Sequence, residues 1–137
     1  MGTPREGLAW LRDAAESGEL AEFCRERHIR ALTVFGSTGR GESSPRDLDI
    51  GVISEYDADF DIFAVVADLM GLLSLNEVDV VHLNRGGPVI RERALGPDSI
   101  WLYESEPGVL ANAQMAAMTE RMETAPLRWL DLELLAQ

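Results

Sequence analysis

The chain has a single cysteine, half as many cations as anions, and no apolar run long enough to cross a membrane. Each shortage excludes something. Cys24 alone cannot form an internal disulfide, which points to a reducing, cytoplasmic setting. Beside Phe23 in a helical pattern, it reads as a small buried apolar residue and not as a nucleophile. Lys and Arg together number 12 against 24 Asp and Glu, a net charge of −12. A surface that grips DNA or RNA needs a basic stripe, so no direct nucleic-acid binding is expected. Acidity of this size suits a basic protein partner steered in by opposite charge; the plainer role is solubility. No membrane span is found. The start, Met1-Gly2-Thr3-Pro4-Arg5-Glu6, has no apolar segment behind a basic head, so no secretory signal is read there. Repeats and low-complexity tracts are also missing.

What is present suffices for one core. Hydrophobic residues make up 46% of 137, too many for a disordered chain, and a chain of this size buries roughly two-thirds of its unfolded surface. A single domain over residues 1–137 is expected. Residues 6–16 and 18–28 read as helices, with Leu8, Leu11 and Ala15, then Leu20, Phe23 and Cys24, on helical spacing. Strands are expected over 31–35, 48–53, 78–83 and 99–103, with a short helix inside 37–41. Asp57 or Asp59 caps a helix running through Leu73, and Pro88 starts another that Gly96 ends. Residues 109–123 form a last helix, followed by a short segment from Pro126 to Leu135. The result is an α/β (α+β) fold, a mixed sheet of about four strands flanked by helices.

The chemistry concentrates in residues 36–49. The apolar run Ala31–Phe35 leads into Gly36-Ser37, and a second apolar run, Leu48 with Ile50–Ile53, carries Asp47 and Asp49. Side chains at i and i+2 of a strand share a face, about 6.6 Å apart at roughly 3.3 Å per residue. Asp47 and Asp49 can therefore converge on one cation while Leu48 and Ile50 enter the core. A loop of small residues beside them lets backbone N–H groups approach phosphate oxygens. The bland reading is turn punctuation followed by a solvated Asp. Against it, Asp49 interrupts an apolar strand, where an unpaired carboxylate is costly, and Asp47 repels it from the same face. A metal removes both objections. The stretch also fits G-x-x-x-x-G-x-[ST], but Glu42 stands where a P-loop needs Lys and would repel the phosphates.

Asp79 in Val78-Asp79-Val80-Val81-His82-Leu83 interrupts β-branched residues as Asp49 does, and can act as a general base or help hold Mg²⁺. Three residues on, His82 points to the opposite face and reads as a structural or surface histidine, not a ligand; His28 is read the same way. Arg40 either neutralises phosphate or pairs with Asp47 or Glu42. Trp101 and Tyr103 read as packing, Trp129 as core or partner surface. Met115, Met118 and Met122, on helical spacing, read first as core, although methionine is also common on adaptable partner surfaces.

Gly36-Ser37-x-x-Arg40-Gly41 with Asp47-x-Asp49 resembles the nucleotidyltransferase superfamily, whose fold is DNA polymerase beta-like. The longer match is similar to the minimal nucleotidyltransferases, including the MntA-like antitoxins that accompany HEPN-domain toxins. The likeness is specific over residues 32–53, pattern-level over 78–104 and faint elsewhere. Gly39 departs from the usual Ala before the Arg, loosening the start of the following helix by up to about 1 kcal/mol but removing no catalytic group. The resemblance implies that Gly36, Ser37 and Arg40 bind ATP and that Asp47, Asp49 and Asp79 are the catalytic, Mg²⁺-binding carboxylates. It also implies AMP transfer to a tyrosine of a HEPN toxin, neutralising that partner within a hetero-oligomer. Two alternatives stand beside it: a non-catalytic antitoxin that blocks by contact, and an aminoglycoside-type enzyme acting on a cationic small molecule. A neighbouring gene for a HEPN protein with an Arg-x-x-x-x-His motif would favour the antitoxin readings.

Overall fold

The structure, a computed structural model, describes residues 2–56 and 60–136, with side chains through Leu127 and at Trp129. Thr3 opens the first helix, α1 (Pro4–Ser17): its side chain accepts from the Glu6 N–H, and Pro4 takes the first helical position. Gly18, at φ +92°, closes it by donating its N–H to the Ala14 carbonyl, and α2 (Glu19–Glu26) follows. The chain continues as β1 (Ile29–Phe35), α3 (Gly36–Gly39), β2 (Leu48–Ser54), α4 (Ile62–Leu73) and β3 (Val78–His82). Then come α5 (Pro88–Leu95), β4 (Ile100–Glu104) and α6 (Val109–Ala136).

The four strands form one mixed sheet in the order β3-β2-β1-β4. β1 pairs antiparallel with β2 and β4, while β2 and β3 run parallel. Pleating divides the core in two. Leu32, Val34, Leu48, Ile50 and Val52 pack with Leu11 and Leu20 of α1 and α2 and with Val65 and Leu69 of α4. Ala31 and Phe35 join Ala94 and Leu95 of α5 and Leu110 of α6 on the other face. There α5 lies very close to the sheet: a Cβ on Gly51 would stand 2.9 Å from Thr33 Oγ1 and 3.2 Å from Ala94 Cβ. Thr33 Oγ1 donates to the Ala94 carbonyl at 2.8 Å and fixes that contact.

The elements match the sequence expectation in kind and order, with three differences of extent. β1 starts at Ile29, since His28 makes the turn at φ +58°. Asp61 caps α4, its carboxylate accepting from the Phe63 and Ala64 N–H groups at 3.0 and 3.3 Å; Asp57 and Asp59 lie outside the described residues. Finally, α6 runs through Pro126 as one 28-residue helix instead of stopping at 123. A proline inside a helix forfeits one backbone bond at about 3 kcal/mol. Leu, Arg, Glu and Ala dominate the residues after it, all strong helix formers. Just before it, the Thr124 hydroxyl donates to the Glu120 carbonyl at 2.9 Å.

Candidate active site

Two adjacent strands bring the carboxylates together. Asp49 of β2 lies directly beside Asp79 of β3 in the parallel register, and Asp47 immediately precedes β2. Adjacent strands stand about 4.8 Å apart, so two carboxylates in register on one face repel strongly. The Asp49 carboxyl is accordingly pushed above the usual carboxylate range, first by burial, then by Asp79 and Asp47, against the opposing pull of Arg93 and Arg40. Its face is the α5 face, shared with Gly51 two residues on. Asp47 and Asp79 are exposed and make no side-chain hydrogen bond among the described residues.

Gly36 is what lets Asp49 sit where it does. It turns the chain from β1 into α3 at φ +69°, a left-handed conformation costly for other residues. A Cβ there would fall 2.1 Å from Asp49 Oδ2. The glycine therefore makes room for a carboxylate, a tighter requirement than the phosphate approach expected of it. Ser37 follows at the start of α3, half-buried, its hydroxyl unbonded among the described residues. Thr38 is buried and donates its hydroxyl to the Asp47 carbonyl at 2.6 Å, tying α3 to the segment that presents Asp47.

Of the two roles expected of Arg40, the pairing with Glu42 is the one seen. Its Nε and Nη2 donate to Glu42 Oε2 at 3.0 and 2.5 Å, while its charge still reaches Asp49. A cavity of about 440 Å³ lies against the α1 side of α3, lined by Arg5, Arg12, Thr38, Gly39, Arg40 and Glu42 among others. Sequence reasoning missed Arg93 and Thr38. Arg93 stands in α5, far from the motif along the chain, and only the packing of α5 on the sheet brings it near Asp49.

The donor set suits a hard divalent cation. It offers carboxylate oxygens only, and a cation would relieve the repulsion that burdens Asp49. Among the described residues, no three acidic, His or Cys side chains already converge as a complete ligand cluster. Mg²⁺ is commonly held by one or two carboxylates together with substrate phosphates and water.

Other singled-out residues stay out of the site. Cys24 is buried, its thiol pushed up to about 12 by desolvation, against the lowering effect of Arg27. His82 bonds Ser54 Oγ at 2.8 Å and lies against the Phe60 ring, with burial holding its imidazole below the usual range. Trp101, read as packing, is 40% exposed on edge strand β4. Met115, Met118 and Met122 are exposed too, correcting the first reading of them as core. No helix among the described residues is long and apolar enough to cross a membrane.

A sequence-family model described as polymerase beta, nucleotidyltransferase matches residues 19–107. No curated protein matches the sequence. Among solved structures, a toxin-antitoxin with AMP-PNP superposes with a TM-score of 0.72 at 16% identity, over 88% of this chain and 98% of that one. A tri-AMPylated Shewanella oneidensis HEPN toxin in complex with MNT antitoxin gives 0.69 at 15% identity, over 92% and 99%. The toxin-antitoxin MntA-HepT gives 0.67 at 14% identity, over 88% and 96%. At these identities the likeness establishes the fold.

Proposed function

Because the chain belongs to the polymerase beta nucleotidyltransferase family, we propose that it is a single-domain adenylyltransferase that moves AMP from ATP onto a tyrosine hydroxyl of a partner HEPN toxin and so acts as its antitoxin. The observation that carries the chemistry is the Asp49–Asp79 register pair with Asp47 beside it, a focus of negative charge whose central carboxyl is already pushed up. The partner and nucleotide are supported by the neighbours of the fold, one a toxin-antitoxin with AMP-PNP, another holding an AMPylated HEPN toxin.

In this reading Gly36 and Ser37 hold the triphosphate through backbone N–H groups and the free hydroxyl, and Arg40 offsets phosphate charge. Asp47 and Asp49, with Asp79, would hold Mg²⁺. When bound, the metal stabilises charge on the transferring phosphoryl group and lowers the acceptor's proton affinity. Asp79, exposed on β3, would take the proton of the acceptor hydroxyl. The acceptor oxygen bonds to the α-phosphorus, the bond to the β-phosphate oxygen breaks, and pyrophosphate leaves. Arg93 opposes the negative charge from the α5 side.

Intact-protein mass spectrometry of a co-produced HEPN toxin, incubated with the chain, ATP and Mg²⁺, tests the reading. The toxin gains one or more AMP units, and Asp79→Asn slows the gain about 10²–10⁴-fold while the complex still forms. A toxin neutralised without any gain in mass, equally by the parent and the Asp79→Asn variant, would make the chain a non-catalytic adaptor. AMP appearing on an aminoglycoside and on no protein would make it a small-molecule enzyme.

A further inference from the structure

We propose that the exposed methionine stripe of α6 is the docking surface for an amphipathic helix on a basic partner protein. The partner's identity as the toxin rests on the reading above. Met115, Met118, Met122, Ala125 and Trp129 follow one another at intervals of three and four. At 3.6 residues per turn they fall within about 80° of helix surface. Such a stripe repeats every 3.5 residues, the spacing of a seam made to meet another helix.

The stripe is not core. Met115 is 66% exposed, Met118 51%, Met122 75% and Trp129 67%. Of the ten large hydrophobic side chains exposed among the described residues, five lie between 115 and 129 of this one helix. Scattered apolar residues are normal on a surface, but a contiguous row marks a binding site. The neighbouring face of α6 is already in use. Leu110 and Ala117 are buried against α5, and the ion pairs Arg91–Glu120, at 2.7 Å, and Arg121–Glu92 lock the two helices together. Beside those pairs a hollow of about 270 Å³ opens between Glu92, Met118, Arg121, Met122, Ala125 and Trp129. It has the size and lining to receive a large side chain from an opposing helix.

Charge selects the occupant. A second copy would bring another −12 against the first, whereas a basic partner is attracted and its on-rate raised. Met adapts its shape to an incoming surface, and Trp is enriched among the anchors of such interfaces. α5 and α6 cover the face of the sheet toward which Asp49 projects. A helix seated on the stripe is therefore held on the catalytic side of the molecule.

The test measures binding of the co-produced HEPN toxin to the parent chain and to Met118→Gln with Met122→Gln, alongside ATP binding and thermal unfolding. The double variant should bind toxin ~100-fold more weakly with ATP binding and unfolding unchanged. Trp129→Gln alone should lose ~10-fold, and Phe63→Gln, exposed on α4, should lose nothing. Toxin binding as tight to the double variant as to a toxin-modifying parent would overturn this surface and leave the proposed function standing. A parent that binds no HEPN toxin overturns both. Sedimentation of the chain alone as a dimer, broken by the methionine substitutions, would make a second copy the occupant and overturn the basic partner.

Discussion

The two faces of the sheet are made from alternate residues of the same strands, yet they differ in size and in kind. Among the described residues, sixteen buried apolar ones form the larger cluster toward α1, α2 and α4, and eight the smaller toward α5 and α6. β2 shows the contrast one residue at a time. Leu48, Ile50 and Val52 enter the larger cluster, while the alternate positions hold Asp49 and Gly51 on the smaller side. Stability is concentrated on one face, which leaves the other free to carry a repulsive group of carboxylates.

The sharpest way to separate the faces is to neutralise one and erode the other. Asp47→Asn with Asp49→Asn should abolish AMP transfer, beyond the 10²–10⁴-fold loss of a general base, while circular dichroism shows an intact fold. A variant retaining a tenth of parental transfer would remove these residues from the site. One position further along, Ile50→Ala should act in the opposite sense. Denaturant unfolding should show a loss of about 2–5 kcal/mol, with transfer per folded molecule nearly unchanged. A small stability loss paired with a large activity loss would mean that the faces are not separate.

The smallest effect concerns pH. Folding raises the Asp49 carboxyl pKa, chiefly by burial and then by Asp79 and Asp47, so its charged form opposes folding. In the absence of divalent metal, Asp49→Asn should therefore raise the unfolding temperature at neutral pH. The gain should shrink as pH falls through the raised pKa toward the unfolded carboxylate value, where the parent's own charge is lost. A lower unfolding temperature for the variant at neutral pH would contradict the repulsion. Together these outcomes describe a face that gives up stability for chemistry.

Much of this was legible in the chain because it is local. Gly36 through Asp49 carries its own turn, spacing and strand alternation, and Asp79 stands out among β-branched neighbours. Thr38 and Arg93 were not legible. Thr38 matters through one bond to a backbone carbonyl nine residues away, and Arg93 reaches Asp49 only because α5 folds back across β2. Met115, Met118 and Met122 show the limit of periodicity, which reports that residues share a side of a helix but not what covers that side. Pro126 misled for another reason: a proline's local penalty was outweighed by the helix-forming segment after it.

Three consecutive residues of α5 serve two masters. Arg91 and Glu92 are clasped by Glu120 and Arg121 of α6, while Arg93 leans its charge on Asp49. Beneath them, Ala94 is pinned through its carbonyl to Thr33 of the central strand. This eight-residue helix is held at Arg91, Glu92 and Ala94. It works as a yoke, unable to turn about its own axis without parting Arg93 from the carboxylates and unclasping the long helix in the same movement.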